Sequence, residues 1–110
     1  MDYIKAFESY LSNNGKADKT IESYTGDVKG YLRYLSDKNI TFNGNVNRFS
    51  INSYKNHLLD NHYEPTTINK KLNSLQSFNI HLIGSGVMTQ VEKDRVFYKY
   101  NVKNQLVGMR

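Results

Sequence analysis

Polar side chains crowd the stretch from Pro65 to Ile83, among them Thr66, Thr67, Asn69, Lys70, Lys71, Asn73 and Ser77. Amides, hydroxyls and ammonium groups are the donors that suit a nucleic-acid surface. Asn can bond an adenine edge in two places, while Lys and Thr reach phosphates or a guanine. On these types, Asn69 and Asn73 are candidates for base reading, and Lys70, Lys71 and Thr67 for positioning on the backbone, with Thr66 and Ser77 beside them. A second group stands at Lys19 and Thr20. Asp18, Glu22 and Asp27 dilute the positive field there, but a phosphate contact made through backbone N–H and the Thr hydroxyl tolerates that dilution.

Nothing in the chain assembles a reaction centre. His57, His62 and His81 are scattered, and no carboxylate or Cys completes a metal-ligand set around them. Ser and His are present without the spacing of a triad. No cofactor, no metal and no catalytic activity are expected of this fragment. The nine Tyr could stack on bases, but most lie on apolar helical stripes, which assigns them to packing.

These candidates need helices to position them. Ile68, Leu72, Leu75, Phe78 and Leu82 recur at steps of four, three, three and four, one apolar stripe of a helix. The polar candidates fall on its other faces. A surface helix of purely structural purpose usually mixes Glu with Lys; this one carries no acid between Thr66 and Ile83.

The rest of the chain reads as helices too. Asp2 to Asn13 has the stripe Ile4, Phe7, Leu11 and is stopped by Asn14-Gly15. A second helix runs from an Asp18 cap to about Ser36, with Ile21, Tyr24, Val28, Tyr31, Leu32 and Leu35 inward. Gly26 and Gly30 sit inside it, each at a cost of about 1 kcal/mol relative to Ala; close packing is the simplest reason, close approach to a ligand the other. Asp37 to Phe49 is a loop turning at Asn43-Gly44 and pinned by Ile40, Phe42 and Val46. Ser50 caps a third helix, Ile51 to about Asp60, with Tyr54 and Leu58 inward. Asn61 to Glu64 connects it to the fourth, where Pro65 costs little at the first turn. Gly84 and Gly86 end that helix, with Val87-Met88 folding back as an anchor. From Thr89 the pattern changes: Val96, Tyr98, Tyr100 and Val102 alternate with polar or aromatic neighbours, the period of an extended strand. The expected architecture is all-α, four helices in two hairpins over residues 1–88, with an extended tail over 89–110.

A shift of 47 residues lays the first half on the second. Ile4 falls on Ile51, Phe7 on Tyr54, Leu11 on Leu58, Asn14 on Asn61, Thr20-Ile21 on Thr67-Ile68, Val28 on Leu75, Tyr31 on Phe78 and Leu35 on Leu82. Each half is a short helix, a polar turn and a long helix beginning Thr-Ile.

The chain has 110 residues and a formal charge of +5, with no Cys. The surplus is uneven: residues 1–37 carry a net −1 and residues 38–110 a net +6. That favours a polyanionic partner. Absence of Cys excludes a disulfide framework and suits a reducing cytosol, no stretch approaches the ~20 apolar residues of a membrane span, and Met1-Asp2-Tyr3 opens directly into an amphipathic pattern rather than a signal peptide. A cytoplasmic protein without membrane contact is expected.

The segments Lys19 to Val28, Tyr31 to Leu35 and Thr67 to Phe78, closing in Gly86-Val87-Met88, together resemble the N-terminal core-binding, SAM-like domain of the tyrosine recombinases, the phage-integrase family. The resemblance covers about residues 2–88 and implies a four-helix SAM-like orthogonal bundle. It implies half of a clamp on a recombination-site duplex, with the second and fourth helices facing the DNA. The catalytic domain of the same parent chain would close the other half, and other recombinase protomers would share the DNA. The sequence departs from the family pattern at Thr89-Gln90, where Asn-Pro is common, and at Gln76, where Arg is common. The family's catalytic Arg, His-x-x-Arg pair and nucleophilic Tyr have no counterpart in these residues, so the chain reads as the front portion of a longer enzyme. The rival reading is a helical protein–protein interaction module, since such folds serve both ends. Exposed apolar anchors would mark that rival; an amide-rich, cationic outer face on residues 66–77 marks DNA binding.

Overall fold

The computed structural model describes residues 2–44 and 46–84. The expected anchor Val87-Met88 and the strand within the tail lie outside them. Four helices follow in order: α1 Tyr3–Asn13, α2 Asp18–Asp37, α3 Arg48–Asp60 and α4 Pro65–Gly84. No strand occurs among the described residues.

The helix starts show where side chains compete to cap. Asp2 lies before α1, not within it, and its carboxylate accepts from the N–H groups of Ile4 at 3.1 Å and Lys5 at 3.0 Å. Asp18 does not cap α2. Ala17 holds that position without a side-chain bond, and Asp18 is the first helical residue, where its charge still favours the helix dipole. Ser50 does not cap α3 either. The helix begins earlier, because the Asn47 side chain accepts from the Ser50 N–H at 2.8 Å; that leaves Ser50 inside the first turn and buried. At α4 the Glu64 carbonyl accepts from the Ile68 N–H at 3.0 Å. Pro65 is thereby the first helical residue, where its missing N–H has no partner to lose. Helix α2 runs one residue past the expected Ser36.

Three helix ends close in the same way. After α1, Gly15 (φ +76°) donates to Ser12 and Lys16 to Leu11. After α2, Asn39 (φ +59°) donates to Ser36 and Ile40 to Leu35. After α3, His62 (φ +64°) donates to Leu59 and Tyr63 to Leu58. Each end uses a left-handed residue to satisfy carbonyls that the helix leaves open.

The echo is visible in this geometry. Shifted by 47 residues, α2 coincides with α4 at both ends and α1 shares its last residue with α3. Gly15 maps on His62, the two left-handed residues. The side-chain amides of Asn14 and Asn61, also equivalent, donate to the carbonyls of Tyr10 at 2.7 Å and His57 at 2.8 Å. Helix α2 packs on α4, α1 on α2, and α3 on α4; the cross pairs α1–α4 and α2–α3 also touch.

One core joins all four helices. Phe7, Leu11, Val28, Tyr31, Leu35, Ile51, Tyr54, Leu58, Ile68, Leu72, Leu75, Phe78 and Leu82 are buried, with Val46 from the loop. Each fully buried Leu, Ile or Phe contributes about 1.5–3 kcal/mol. Aromatic edges tie the elements together: Phe7 meets Phe78 at 5.3 Å between centroids, and Phe42 of the loop meets Tyr3 at 4.8 Å and Phe78 at 5.8 Å. Ile40 and Phe42 are partly buried against the core, so the α2–α3 loop is pinned as its apolar residues require.

Candidate nucleic-acid interface

The apolar stripe of α4 turns Ile68, Leu72, Leu75, Phe78 and Leu82 inward and leaves the polar candidates at its edges and outside. Thr66, Lys70 and Asn73 are exposed; Thr67, Asn69, Lys71 and Ser77 are half-buried. Asn73 is engaged by no other side chain among the described residues. On α2, Lys19 is exposed and Thr20 half-buried. They stand about two turns before Asp27, and among the described residues no hydrogen bond or ion pair joins them to the α4 group.

What the structure does bring together is a polar node between α2 and α4. Asp27 is buried, its side chain 8 % exposed. Its Oδ2 accepts from the Ser74 hydroxyl at 2.6 Å and from Lys70 Nζ at 2.9 Å; its Oδ1 accepts from Lys71 Nζ at 3.4 Å. Burial alone would raise the Asp27 pKa. The Ser74 and Lys70 hydrogen bonds and the two ammonium charges outweigh it and hold the carboxyl below its ordinary value. Asp27 is therefore ionised whenever the domain is folded near neutrality.

The node separates two lysines that are neighbours in sequence. The Lys71 side chain is 22 % exposed; its ammonium is shared between Asp27 and the face of Tyr63, 5.7 Å from the ring centroid. The Lys70 side chain is 56 % exposed. Its ammonium has donors left for an external oxyanion while Asp27 fixes its position. Lys71 is held inward between Asp27 and Tyr63; Lys70, its ammonium also tied to Asp27, keeps more than half of its side chain exposed.

Asp27 is the residue that reading the sequence for binding chemistry passes over. The signal was present: it lies between Tyr24 and Tyr31 at helical spacing, beside Val28, on the stripe facing the core. An acid there must find a cation or a donor, and the equivalent position 47 residues on is Ser74.

The described residues contain no group of three or more His, Cys, Asp or Glu that could hold a metal ion, and no helix among them is long and apolar enough to cross a membrane. The four-helix, two-hairpin fold with a basic, amide-rich fourth helix defines a class of small all-α domain. Its sequence places it further. The profile of the phage integrase N-terminal SAM-like domain matches residues 4–85, and the chain belongs to that family. Among curated relatives, a protein named Tyrosine recombinase XerC from Pediococcus pentosaceus is 29 % identical over 109 residues, 97 % of this chain and 30 % of the relative. TnP I resolvase of Bacillus thuringiensis is 28 % identical over 107 residues, 90 % of this chain and 34 % of the relative. Tyrosine recombinase XerC of Listeria innocua is 28 % identical over 103 residues, 93 % of this chain and 33 % of the relative. The chain thus spans about a third of the length of the relatives it matches. No solved structure matches it.

Proposed function

We propose that the chain is the DNA-binding, core-binding domain of a site-specific tyrosine recombinase, gripping the recombination-site duplex through α2 and α4. The observation that carries this reading is the outward face of α4. The Lys70 ammonium is held 2.9 Å from Asp27 while its side chain stays 56 % exposed, and the exposed Asn73 lies one turn further along. Lys70 contacts phosphate, with Thr66 and Thr67 beside it at the helix start. Asn73 reads a base edge, with Asn69 and Ser77 alongside. Lys71 braces Lys70 from within rather than reaching the duplex. Lys19 and Thr20 add a phosphate contact at the start of α2. Catalysis belongs to a separate domain of the parent chain, joined through residues 89–110, and the domain works in the cytoplasm with other recombinase protomers on the same DNA.

The reading is supported by family membership and by relatives named as recombinases and a resolvase. The rival interaction module draws less support: Phe49 is 73 % exposed, but the other exposed large apolar side chains, Leu59, Tyr63 and Ile80, are each exposed by less than half. Binding of labelled duplexes by parent and Asn73→Ala chains tests the proposal. Loss of about 1–3 kcal/mol on the cognate site, with no change on scrambled duplex, supports base reading. Equal binding of both chains to both duplexes contradicts it.

A further inference from the structure

Behind Lys71 of α4 lies a groove of about 380 Å³, walled by Arg33 and Asp37 of α2, Lys38 just after it, Tyr54 of α3, and Tyr63 in the turn before α4. Its walls carry three cations and one acid. Arg33 is exposed and makes no ion pair among the described residues. Lys38 stands 5.9 Å from the centroid of the Tyr34 ring. Asp37 pairs with neither of them.

The floor of the groove is unusual. Tyr54 is only 4 % exposed, yet its hydroxyl makes no hydrogen bond among the described residues. The hydroxyl lies against residue 30, where a Cβ would stand 3.4 Å from it. Burial, then the charges of Asp27 and Tyr63, push the Tyr54 phenol up to about 12, so it is a donor throughout the neutral range. The hydroxyl is not among the buried atoms left without a partner, so its proton is open to an oxygen acceptor in the groove, water or a bound oxyanion.

We propose that this groove is an oxyanion site, in which Arg33 and the Tyr54 hydroxyl bind a phosphate group with Lys71 behind it. Assigning that phosphate to the backbone of duplex DNA rests on the DNA-binding reading above; the oxyanion site itself does not. The position suits a second anchor point. Lys71 lines the groove and shares Asp27 with Lys70, so a phosphate in the groove and one on the outer face of α4 flank the same carboxylate.

The test follows backbone amide shifts of Gly30 and Tyr63 in the 110-residue chain while inorganic phosphate, and separately a short duplex, is added at low salt. Two variants accompany it: Arg33→Gln, whose side chain holds nothing in the fold, and Tyr54→Phe, which removes the hydroxyl alone. The expected result is that both amides shift on adding duplex. Each variant then weakens duplex binding roughly three- to tenfold at unchanged melting temperature, and Arg33→Gln lowers the salt slope by about one. Shifts with inorganic phosphate but not with duplex keep the oxyanion site and overturn its assignment to DNA. Duplex binding that leaves Gly30 and Tyr63 unmoved and both variants unaffected overturns the inference while the role of α4 stands. Absence of duplex binding together with phosphate-induced shifts removes the DNA-binding reading and leaves the site. No shift with either ligand overturns the site outright.

Discussion

The Asp27 carboxylate accepts a 2.6 Å hydrogen bond from the hydroxyl of Ser74, 47 residues further along the chain. The two positions are equivalent under the internal echo, so the hairpins meet at a point where like faces like. An acid on one side and a hydroxyl on the other make that meeting a hydrogen bond instead of a repulsion, and the two lysines complete it.

Asp27→Asn is therefore expected to destabilise the domain by about 1–3 kcal/mol, since it removes the charge but leaves the site buried. The pH dependence has a defined sign. A carboxyl whose pKa is lowered on folding contributes stability that is complete above its unfolded pKa and lost as pH falls through its folded value. Thermal melts of the parent should lose this contribution in the acid range, and Asp27→Asn should flatten that limb. An identical acid limb in both proteins would show that the node contributes nothing.

The two lysines should differ in what their loss does to the fold. Lys70→Ala removes a half-exposed partner and is expected to cost about 0.5 kcal/mol or less. Lys71→Ala removes a partly buried ion-pair partner together with its contact on Tyr63, and is expected to cost about 1–2 kcal/mol. Urea unfolding of the two variants side by side checks the order; the reverse order contradicts the division of roles.

Asn79 is fully buried, and neither its amide nitrogen nor its oxygen has a hydrogen-bond partner. Asn79→Leu keeps the shape and removes two unsatisfied polar atoms. It is expected to raise stability by about 1–3 kcal/mol, several degrees in melting temperature for a domain of this size. A lower melting temperature would mean that the amide is satisfied in solution.

His62 holds a left-handed conformation at the end of α3, where the equivalent residue after α1 is Gly15. His62→Gly relieves the strain of a side chain there and should stabilise by about 1 kcal/mol. Denaturant midpoints compare the two, with no change or a loss counting against the strain.

The helices and the core were legible in the sequence because both obey one period. Phe7, Val28, Tyr31, Leu58, Leu75 and Phe78 announce their burial by spacing alone, and Gly15 announces the first turn. The caps were less legible. Asp18 and Ser50 have the right chemistry for capping, but Asn47 starts α3 earlier, and α2 begins at Asp18 itself, after Ala17. The site was legible only as residue types. Lys70 and Lys71 look alike in a list of residues; their roles separate through Asp27, a long-range contact that no local pattern encodes. The groove at Tyr54 is built from three helices, so reading α2 alone does not reveal it.

The central claim is that α4 meets the DNA backbone through Lys70. The slope of log affinity against log salt, measured on one labelled duplex for the parent chain and Lys70→Ala, tests it most directly. Each phosphate contact contributes about 0.9 to that slope. The account predicts a steep slope for the parent and one shallower by about one for Lys70→Ala, with the fold unchanged. Equal slopes for the two proteins, or a parent that fails to bind at low salt, would contradict it.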